Sequence, residues 1–578
     1  MLPAVISAAP CDWAADAVWY QIFPERFRNG CPASDPTAED VSPGRPVPGW
    51  RITPWGEEWY GLSGWERALA GGDFFPAVFF RRYGGDLEGI RQKLGYLQDL
   101  GVNAIYLNPV FRAVSLHKYD ATCLHHVDPA FGPDRAGDLA ALAAAHESED
   151  PATWIWTAAD RALLALVREV HARGMRIILD GVFNHCGTAF FAFRDLLEKG
   201  AASPYAAWFQ VRRFREDGGL DYAAWDGENG SLPAFARNES GTSLAPPVKQ
   251  YLFDITRRWT APGGNPADGV DGWRLDVAFC VPHGFWKEWH AFLRSLKPDA
   301  YTTAEIVGPA QEWVLPDEFS AVMDYEWLYP TLSFLTPHAE AHSAAAFRGK
   351  IDALHARHGE AAFSRMQNLL DSHDTGRIAS MLENACPPFP EWGPFFDFAR
   401  AKDHPAFRTG KPGEDAVRRT LLALFWAATG SGAPMIYYGT EVGMWGANDP
   451  CCRQPMLWDD IGYAPETLGL HGPLGTANPR APDKAFLKET RALFRLRGAH
   501  PALRRGAFAW VEGLPEPVVG YLREGAGEKL LAFFHKGDAA VAVPVPEGAA
   551  LLHSLGGATL TGNVLRLPPL SAACLSVP

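Results

Sequence analysis

Arg274 and Asp276 lie two residues apart in GVDGWRLDVAFC, a segment otherwise rich in apolar residues. In a β-strand, residues two apart point to the same face, so both charged side chains project from the same face of this strand. A cation fixed beside a carboxylate favours its ionised form, which lowers the pKa and suits a nucleophile. An ion pair with a purely structural role explains this spacing equally well. The choice between a structural and a catalytic role therefore depends on the other polar residues of the chain.

Two further carboxylates follow apolar strands later in the chain, Glu305 in YTTAEIV and Asp374 in LLDSHDTG. A pair of carboxyl groups flanking a bound sugar can cleave a glycosidic bond: one is ionised and attacks, while the other protonates the leaving oxygen. Ile306 and Val307 are apolar neighbours that we expect to raise the pKa of Glu305, as a general acid requires. The sequence therefore indicates glycoside chemistry.

A repeated order of helix and strand positions these carboxylates. The helical pattern DLEGIRQKLGYLQDLG precedes VNAIYLNPVF, and the helical pattern TAADRALLALVREVHARG precedes MRIILDGVFNH. Strands such as AIYL and RIIL are continuous apolar runs, as expected for a parallel sheet that is covered on both faces. This alternation predicts an α/β fold, either a barrel or an open doubly wound sheet.

The ends of the strands favour a (β/α)8 TIM barrel. Polar residues recur there, in DGVFNH, RLD, AE and SHD. In a barrel the carboxyl ends of all strands lie at the same end of the barrel, which we call the mouth, and active sites lie there. No G-x-G-x-x-G follows the first strand, which argues against a dinucleotide-binding sheet.

We expect three structural units. The barrel takes residues 1–185 and 256–500, and residues 186–255 form an inserted subdomain, because this segment after the third strand is too long for a simple loop. Residues 501–578 contain short strands separated by Gly and Pro, which predicts a C-terminal antiparallel β-sandwich.

Composition restricts the partners and the cellular location. The 578 residues include 53 basic and 67 acidic side chains, and a net charge of -14 disfavours nucleic-acid binding. No apolar run is long enough to span a membrane, and the start MLPAVISAAPCDW lacks the features of a signal peptide. Nine scattered cysteines without a C-x-x-C pair suit a reducing compartment, so we expect a cytoplasmic protein.

Several segments resemble the α-amylase superfamily, glycoside hydrolase family 13, in the order of that family and through nearly the whole chain. They include AVWYQIFPERFRNG, HKYDATCLHHVDPAFG, DGVFNH, GWRLDVAF, AEIV and LLDSHDTGRI. The resemblance implies a retaining mechanism, with Asp276 as the nucleophile and Glu305 as the acid/base. It also implies that Asp374 binds sugar hydroxyls and stabilises the distorted ring.

Within the superfamily, RFRNGCPASDP, GGDL and NDPCCRQPMLWD are most similar to the neopullulanase, cyclomaltodextrinase and maltogenic amylase group. This similarity implies hydrolysis of α-1,4 bonds in maltooligosaccharides and cyclodextrins. It implies that Asp449 and Arg453 hold a glucose unit on the non-reducing side, although Arg453 also suits a surface ion pair. The glucose to be attacked would be lined by His117, Tyr119, His185, Arg274 and His373.

The acceptor side departs from the group. Phe279 and Cys280 replace an Asn-Glu pair, and Val307 and Gly308 replace a Trp-His pair, which removes a stacking face. We therefore keep two alternatives: a 4-α-glucanotransferase that uses the same site, and a non-catalytic carbohydrate-binding barrel. We also hypothesise that the aromatic segment 388–412 forms a lid that supplies stacking.

No cofactor is expected for catalysis, but the resemblance implies a structural calcium ion near the first strand. Cys31 occupies a position where the group has Asp. Because calcium prefers oxygen ligands, the sequence keeps both a bound calcium ion and its absence as alternatives. The group often has an extra N-terminal β domain that mediates dimerisation. This chain reaches its first barrel strand by Trp19, so we expect it to lack that domain and to be a monomer or a weak homo-oligomer. The candidate calcium ligands are Asn29, Ser34, Asp35, the Gly84 carbonyl and Asp86.

Overall fold

The computed structural model describes residues 11–578, so most of the segment that bears on the signal-peptide expectation, residues 1–10, lies outside the described residues. Eight parallel strands form one sheet. We number them β1 to β8 in chain order: Trp19–Ile22, Ala104–Leu107, Arg176–Gly181, Gly272–Leu275, Tyr301–Ala304, Ala321–Val322, Gln367–Leu369 and Ala433–Tyr437.

The eight strands close into a barrel. Their order across the sheet is β6-β5-β4-β3-β2-β1-β8-β7, and a parallel bridge between Met323 and Gln367 joins the two ends. Trp19 of β1 is in register with Ala104 of β2 and with Met435 of β8. Strands such as β2 and β4 are buried at every position, which confirms the predicted parallel sheet covered on both faces.

Helices cover the outside of the barrel, and local sequence signals set their ends. Thr157 and Asp160 form a capping box at one helix start, and Gly101 ends another helix with φ 96°. Within the described residues, no helix is long and apolar enough to cross a membrane. The longer helices are Arg135–Ala144, Ala158–Ala172, Pro246–Thr260, His283–Leu296, Tyr325–Leu335, Ala344–His358, Glu414–Thr429 and Lys484–Ala499.

Long connections at the carboxyl ends of the strands build the rim of the barrel. Between β3 and the helix Pro246–Thr260 lie the helix Phe191–Lys199 and a two-stranded hairpin, Val211–Phe214 with Leu220–Tyr222. After β7, the segment that we hypothesised to be a lid contains the helix Trp392–Phe398. A second hairpin, Glu466–Gly469 with Gly472–Asn478, follows β8.

The last part of the chain forms two packed antiparallel sheets. Apolar side chains between them, including Phe533, Leu565 and Leu575, make a separate small core. The five-stranded sheet, in spatial order, is Ala507–Trp510, Val518–Gly525, Glu528–His535, Ser571–Ser576 and Ala550–Leu555. The three-stranded sheet is Val541–Pro544, Val564–Leu567 and Thr559–Thr561.

The nine cysteines are all free thiols, and seven of them are buried. Even the adjacent pair, Cys451 and Cys452, forms no disulfide bond. The stability of the fold therefore rests on packing and hydrogen bonding, without covalent cross-links.

Candidate active site

The three predicted carboxylates meet at the carboxyl ends of the barrel strands. Asp276 directly follows β4, Glu305 directly follows β5, and Asp374 lies in the loop after β7. All three line one cavity of ≈ 500 Å³. Six other residues predicted from the sequence also line it: His117, Tyr119, His185, His373, Asp449 and Arg453.

Arg274, the remaining predicted residue, lies behind the cavity wall and is completely buried. Its Nη1 lies 2.8 Å from Asp276 Oδ1 and 3.0 Å from Asp180 Oδ1, and its Nη2 lies 2.7 Å from Glu305 Oε1. One guanidinium group thus holds three carboxylates that come from the ends of three neighbouring strands. This arrangement fixes the two reacting carboxyl groups relative to each other.

The shared cation changes the expected electrostatics of Asp276. Burial raises its pKa well above the usual range, and the charges of Glu305 and Asp180 raise it further, while Arg274 opposes them. The expectation that Arg274 gives Asp276 a lowered pKa was therefore wrong for the net shift. The physical reason is first the burial of the carboxyl group, which the one positive charge divided among three carboxylates does not offset.

Burial also raises the pKa of Glu305, as the sequence predicted, with Arg274 acting in the opposite direction. The pKa of Asp180 rises to about 6, mainly through burial. Since the three groups interact closely, they titrate as a cluster that retains a proton near neutral pH. A retained proton is what the acid half of a glycoside-cleaving pair requires.

The backbone beside Asp276 is strained. Val277 has φ 38°, a left-handed conformation that is rare for a β-branched residue. In this conformation its N–H donates a 3.0 Å hydrogen bond to Glu305 Oε2. The strain therefore aims a donor at the general-acid candidate, and strained residues of this kind concentrate at functional sites.

Asp374 is held from two sides on the opposite wall. Arg453 Nη2 lies 3.1 Å from Asp374 Oδ1, and His373 Nε2 lies 3.2 Å from Asp374 Oδ2. Arg453 also contacts Asp449 Oδ1 at 2.8 Å through its Nη1. Arg453 is buried in the cavity wall, so the surface ion pair that we kept as its alternative does not describe it.

Aromatic and imidazole groups complete the polar floor. The Tyr119 hydroxyl lies 2.6 Å from His373 Nε2 and donates to Asp180 Oδ2 at 3.0 Å. Burial lowers the pKa of both His117 and His185 to about 3, so both rings are neutral at pH 7. Neutral imidazoles can donate to and accept from sugar hydroxyls without adding charge to the site.

Five residues of the cavity wall were not singled out from the sequence, one of them Val277 beside Asp276. Trp225 and Leu232 come from the inserted segment, and Trp392 and Phe396 from the helix after β7. Trp225 is 47% exposed, and its ring stacks on His185 at a centroid distance of 5.4 Å. The signal for the second pair was available in part, because the hypothesised lid segment contains both residues.

Val277 and two of the substituted positions, Phe279 and Val307, present apolar surface near the acceptor side. Val277, Phe279 and Val307 line the cavity, and Phe279 is 48% exposed. Exposed aromatic rings beside a polar floor provide the flat apolar surfaces on which sugar rings stack. Trp392 and Phe396 add a stacked pair, with a centroid distance of 5.1 Å.

The predicted calcium ligands lie near one another, but they differ in how many hydrogen bonds they already accept. Asp86 caps a helix through Gly89 N–H and also accepts from the backbone N–H groups of Gly30 and Cys31, so both of its oxygens are used. These N–H donors compete with a cation for the oxygens of Asp86, so its role as a ligand stays a prediction.

The other calcium candidates fit better. The buried Oδ1 of Asn29 has no hydrogen-bond partner, and its Nδ2 donates to Asp35 Oδ1 at 2.7 Å. A Cβ at Gly84 would lie 2.2 Å from Asp35 Oδ1, so the backbone of Gly84 lies directly against this pair. Ser34 is buried nearby, with the thiol of Cys31 3.8 Å from its Oγ. An unpaired acceptor beside a carboxylate is the donor set of a hard cation.

Comparisons with known proteins agree with this geometry. A family model described as the alpha amylase catalytic domain matches residues 21–150 and 158–387. A cyclomaltodextrinase of Geobacillus thermopakistaniensis (strain MAS1) is 33% identical, over 98% of this chain and 76% of that protein. An intracellular maltogenic amylase of Bacillus subtilis is 36% identical, over 78% of this chain and 59% of that protein.

A solved structure extends the agreement to three dimensions. The cyclic α-maltosyl-(1→6)-maltose hydrolase of Arthrobacter globiformis, in complex with that cyclic sugar, superposes with a TM-score of 0.69 and 28% identity, over 99% of this chain and 100% of that one. The barrel, the mouth with its three carboxylates and the family match lead to one conclusion: this chain belongs to the α-amylase family of glycosidases.

Proposed function

We propose that the protein hydrolyses α-1,4-glucosidic bonds of maltooligosaccharides and cyclodextrins, with retention of the anomeric configuration. The names of the relatives support an α-glucan as the substrate. The observation that carries the proposal is the bridge through Arg274, which contacts Asp276 at 2.8 Å and Glu305 at 2.7 Å.

The spacing of the two carboxyl groups supports retention. The two terminal nitrogens of one guanidinium group contact them, Nη1 at 2.8 Å from Asp276 Oδ1 and Nη2 at 2.7 Å from Glu305 Oε1, which brings the two carboxyl groups close together. Inverting glycosidases hold their carboxyl groups ≈ 6.5–9.5 Å apart to leave room for a water molecule, whereas retaining enzymes hold them ≈ 5–5.5 Å apart. Close approach therefore favours direct attack by one carboxylate on the sugar.

The reaction follows in two steps. Asp276 attacks the anomeric carbon, and an ester bond forms as the glycosidic bond breaks, while Glu305 gives its proton to the leaving oxygen. Glu305 then takes a proton from water, and the resulting hydroxide oxygen displaces Asp276 from the anomeric carbon. Asp374 and the neutral His117, His185 and His373 hydrogen-bond the hydroxyls of the ring.

The test is product analysis on maltotriose, β-cyclodextrin and pullulan in parallel. We expect short maltooligosaccharides, and proton NMR in the first minutes should show the α-anomer before mutarotation. Initial release of the β-anomer would contradict retention. Cleavage of pullulan without cleavage of maltotriose would contradict the assigned linkage.

Glycosyl transfer is a second candidate, and the apolar wall of Val277, Phe279 and Val307 favours it. An apolar surface next to the glycosyl ester binds the face of an acceptor sugar and excludes water, so transfer competes with hydrolysis. Oligosaccharides longer than maltotriose, formed from maltotriose early in the reaction, would identify transfer.

We further infer an intracellular location. All nine cysteines are free thiols, as is usual in a reducing compartment, and the Bacillus subtilis relative is named as intracellular. Fractionation of the native host, with detection by antibody, tests this location.

A further inference from the structure

A second group of chemically active side chains lies away from the catalytic carboxylates. The ring nitrogens of His125 and His126 and a carboxylate oxygen of Glu147 all lie within 4.8 Å of one another. The three residues line a cavity of ≈ 490 Å³ that shares no lining residue with the catalytic cavity. The proposed hydrolysis has no role for them.

The hydrogen bonds of His126 determine which of its nitrogens is free. Nδ1 lies 2.8 Å from Asp160 Oδ2, and Asp160 Oδ1 accepts from the backbone N–H of Val127. Asp160 Oδ2 also contacts Arg258 at 3.0 Å, so Asp160 is ionised and acts as the acceptor. The proton of His126 therefore lies on Nδ1, and the lone pair of Nε2 points towards the carboxylate of Glu147.

That lone pair cannot face Glu147 without a positive charge between them. Nε2 of His126 lies 2.9 Å from Glu147 Oε2, and two lone-pair donors at this distance repel each other. The backbone N–H of Ile155 donates to Glu147 Oε1 at 2.7 Å, which orients the carboxylate with Oε2 towards the ring. Either a second proton or a metal ion must occupy the gap.

His125 supplies a second free nitrogen at the same point. Its Nε2 lies 3.6 Å from Glu147 Oε2, and its Nδ1 lies 3.0 Å from the hydroxyl of Tyr251. Its ring is fixed by stacking on Trp154 at 4.6 Å, with 5° between the planes.

We propose that His125, His126 and Glu147 bind a divalent transition-metal ion of the zinc class. Two imidazoles and one carboxylate suit such ions, whereas calcium and magnesium prefer oxygen donors alone. Tetrahedral ligands at zinc distances lie about 3.3 Å apart, close to the 2.9 Å and 3.6 Å separations observed here. The cavity leaves the fourth position to water.

The surroundings match those of a metal site in a second respect. Metal-binding histidines use their other ring nitrogen to bind a carboxylate or a similar acceptor, which fixes the tautomer and the orientation of the ring. Asp160 does this for His126, and Tyr251 for His125. The ion would link the loop that carries Glu147 to the segment after β2. Its role would therefore be structural.

Titration of the chelator-treated full chain with Co²⁺ tests the proposal. We expect one ion per chain, the visible absorption of four-coordinate Co²⁺, and displacement by Zn²⁺. Glu147→Gln should weaken binding by at least about 10-fold, as should His125→Phe, which keeps a ring against Trp154. Both variants should retain hydrolytic activity, because neither residue lines the catalytic cavity.

Glu149→Gln is the matched control, since Glu149 lies in the same loop but accepts a hydrogen bond from Tyr205 and is outside the group. This variant should bind Co²⁺ like the unaltered chain. Absence of binding at pH 7.5 would mean that a proton fills the gap, and would overturn the proposal. Equal affinity of the unaltered chain and Glu147→Gln would overturn it as well.

Discussion

At the scale of single residues, the chemistry of the mouth depends on one buried cation. Arg274 contacts Asp180, Asp276 and Glu305; burial is the main cause of the raised pKa of Asp180 and of Asp276, and the charge of Glu305 raises both further. An enzyme of this kind needs one carboxylate ionised and one protonated at the same pH. Because one guanidinium group cannot neutralise three carboxylates, the cluster retains a proton. The hydrogen bond from the backbone N–H of Val277 fixes the position of Glu305.

Glu305→Gln tests the division of roles. Gln cannot donate a proton as an acid, so turnover of maltotriose should fall by roughly 10²–10⁴-fold. An α-maltosyl fluoride needs no proton on its leaving group, so its first step should survive in this variant, while Asp276→Asn should lose both reactions. Circular dichroism controls for folding. Equal losses on both substrates in Glu305→Gln would contradict its role as the acid.

Asp180→Asn tests the shared charge. Removing this negative charge should lower the pKa of Asp276, which Asp180 raises, and should leave more of the charge of Arg274 to lower the pKa of both Asp276 and Glu305. Glu305 must be protonated and Asp276 ionised, so both limbs of the pH profile of kcat/KM should move to lower pH, by roughly one unit.

A matched control for this variant is Asp324→Asn. Burial raises the pKa of Asp324 to about 7, but its neighbours are Glu326 and Arg357 and not the Arg274 cluster. The pH profile of this variant should be unchanged. A profile of Asp180→Asn that keeps both limbs in place would show that the carboxylates do not share the proton.

At the scale of elements, the barrel strands fix the acids, and the long connections supply the apolar walls. β4 and β5 lie next to each other in the sheet, which brings the residues after their ends, Asp276 and Glu305, to adjacent positions. Trp225 and Trp392 come from separate connections after β3 and β7. Substrate preference should therefore respond to changes in the connections without loss of the chemistry.

Trp392→Ala should reduce kcat/KM for longer substrates by about fivefold, because loss of a stacking ring costs about 1 kcal/mol. The effect on maltotriose should be smaller. Phe398→Ala is the control, since Phe398 lies on the same helix but packs against Phe389 and Phe407 outside the cavity. Equal effects on short and long substrates would contradict a stacking role.

The calcium site predicted at Asn29, Ser34, Asp35, the Gly84 carbonyl and Asp86 belongs to the same scale, since it would join the segment after β1 to the start of the helix Leu87–Gln92. Saturating Ca²⁺ should raise the melting temperature, with about 2.7 kcal/mol of stabilisation at a hundredfold excess over Kd. Asp35→Asn should abolish this gain, and Asp40→Asn, outside the group, should keep it. A gain of the same size in Asp35→Asn would rule out the site.

At the scale of the whole molecule, the C-terminal sheets pack onto the barrel through aromatic rings. Trp426 of the helix Glu414–Thr429 is 1% exposed, and its ring lies 5.2 Å from Tyr521 and 6.0 Å from Phe534 of the five-stranded sheet. It also stacks on Trp327 of a neighbouring barrel helix. This single side chain connects the core of the barrel with the C-terminal sheets.

Trp426→Ala should lower the free energy of unfolding by about 3–5 kcal/mol, through lost burial and an unfilled cavity. Thermal unfolding monitored by circular dichroism measures this loss. Trp225→Ala is the control: the removed side chain is the same, but it is 47% exposed, so stability should hardly change. Similar melting temperatures for both variants would show that the aromatic contact does not join the two parts.

The sequence by itself determined which residues end the barrel strands, because strand periodicity and polar termini are local properties of the chain. It thereby predicted the barrel and indicated Asp276, Glu305 and Asp374. The tertiary structure decided how these groups share charge, since Asp180, Asp276 and Glu305 come from different strands and meet only around Arg274. Contacts between distant segments depend on tertiary packing, which local sequence patterns do not specify. The stacking of Trp225 on His185 and the contact of Glu147 with His126 are two further examples.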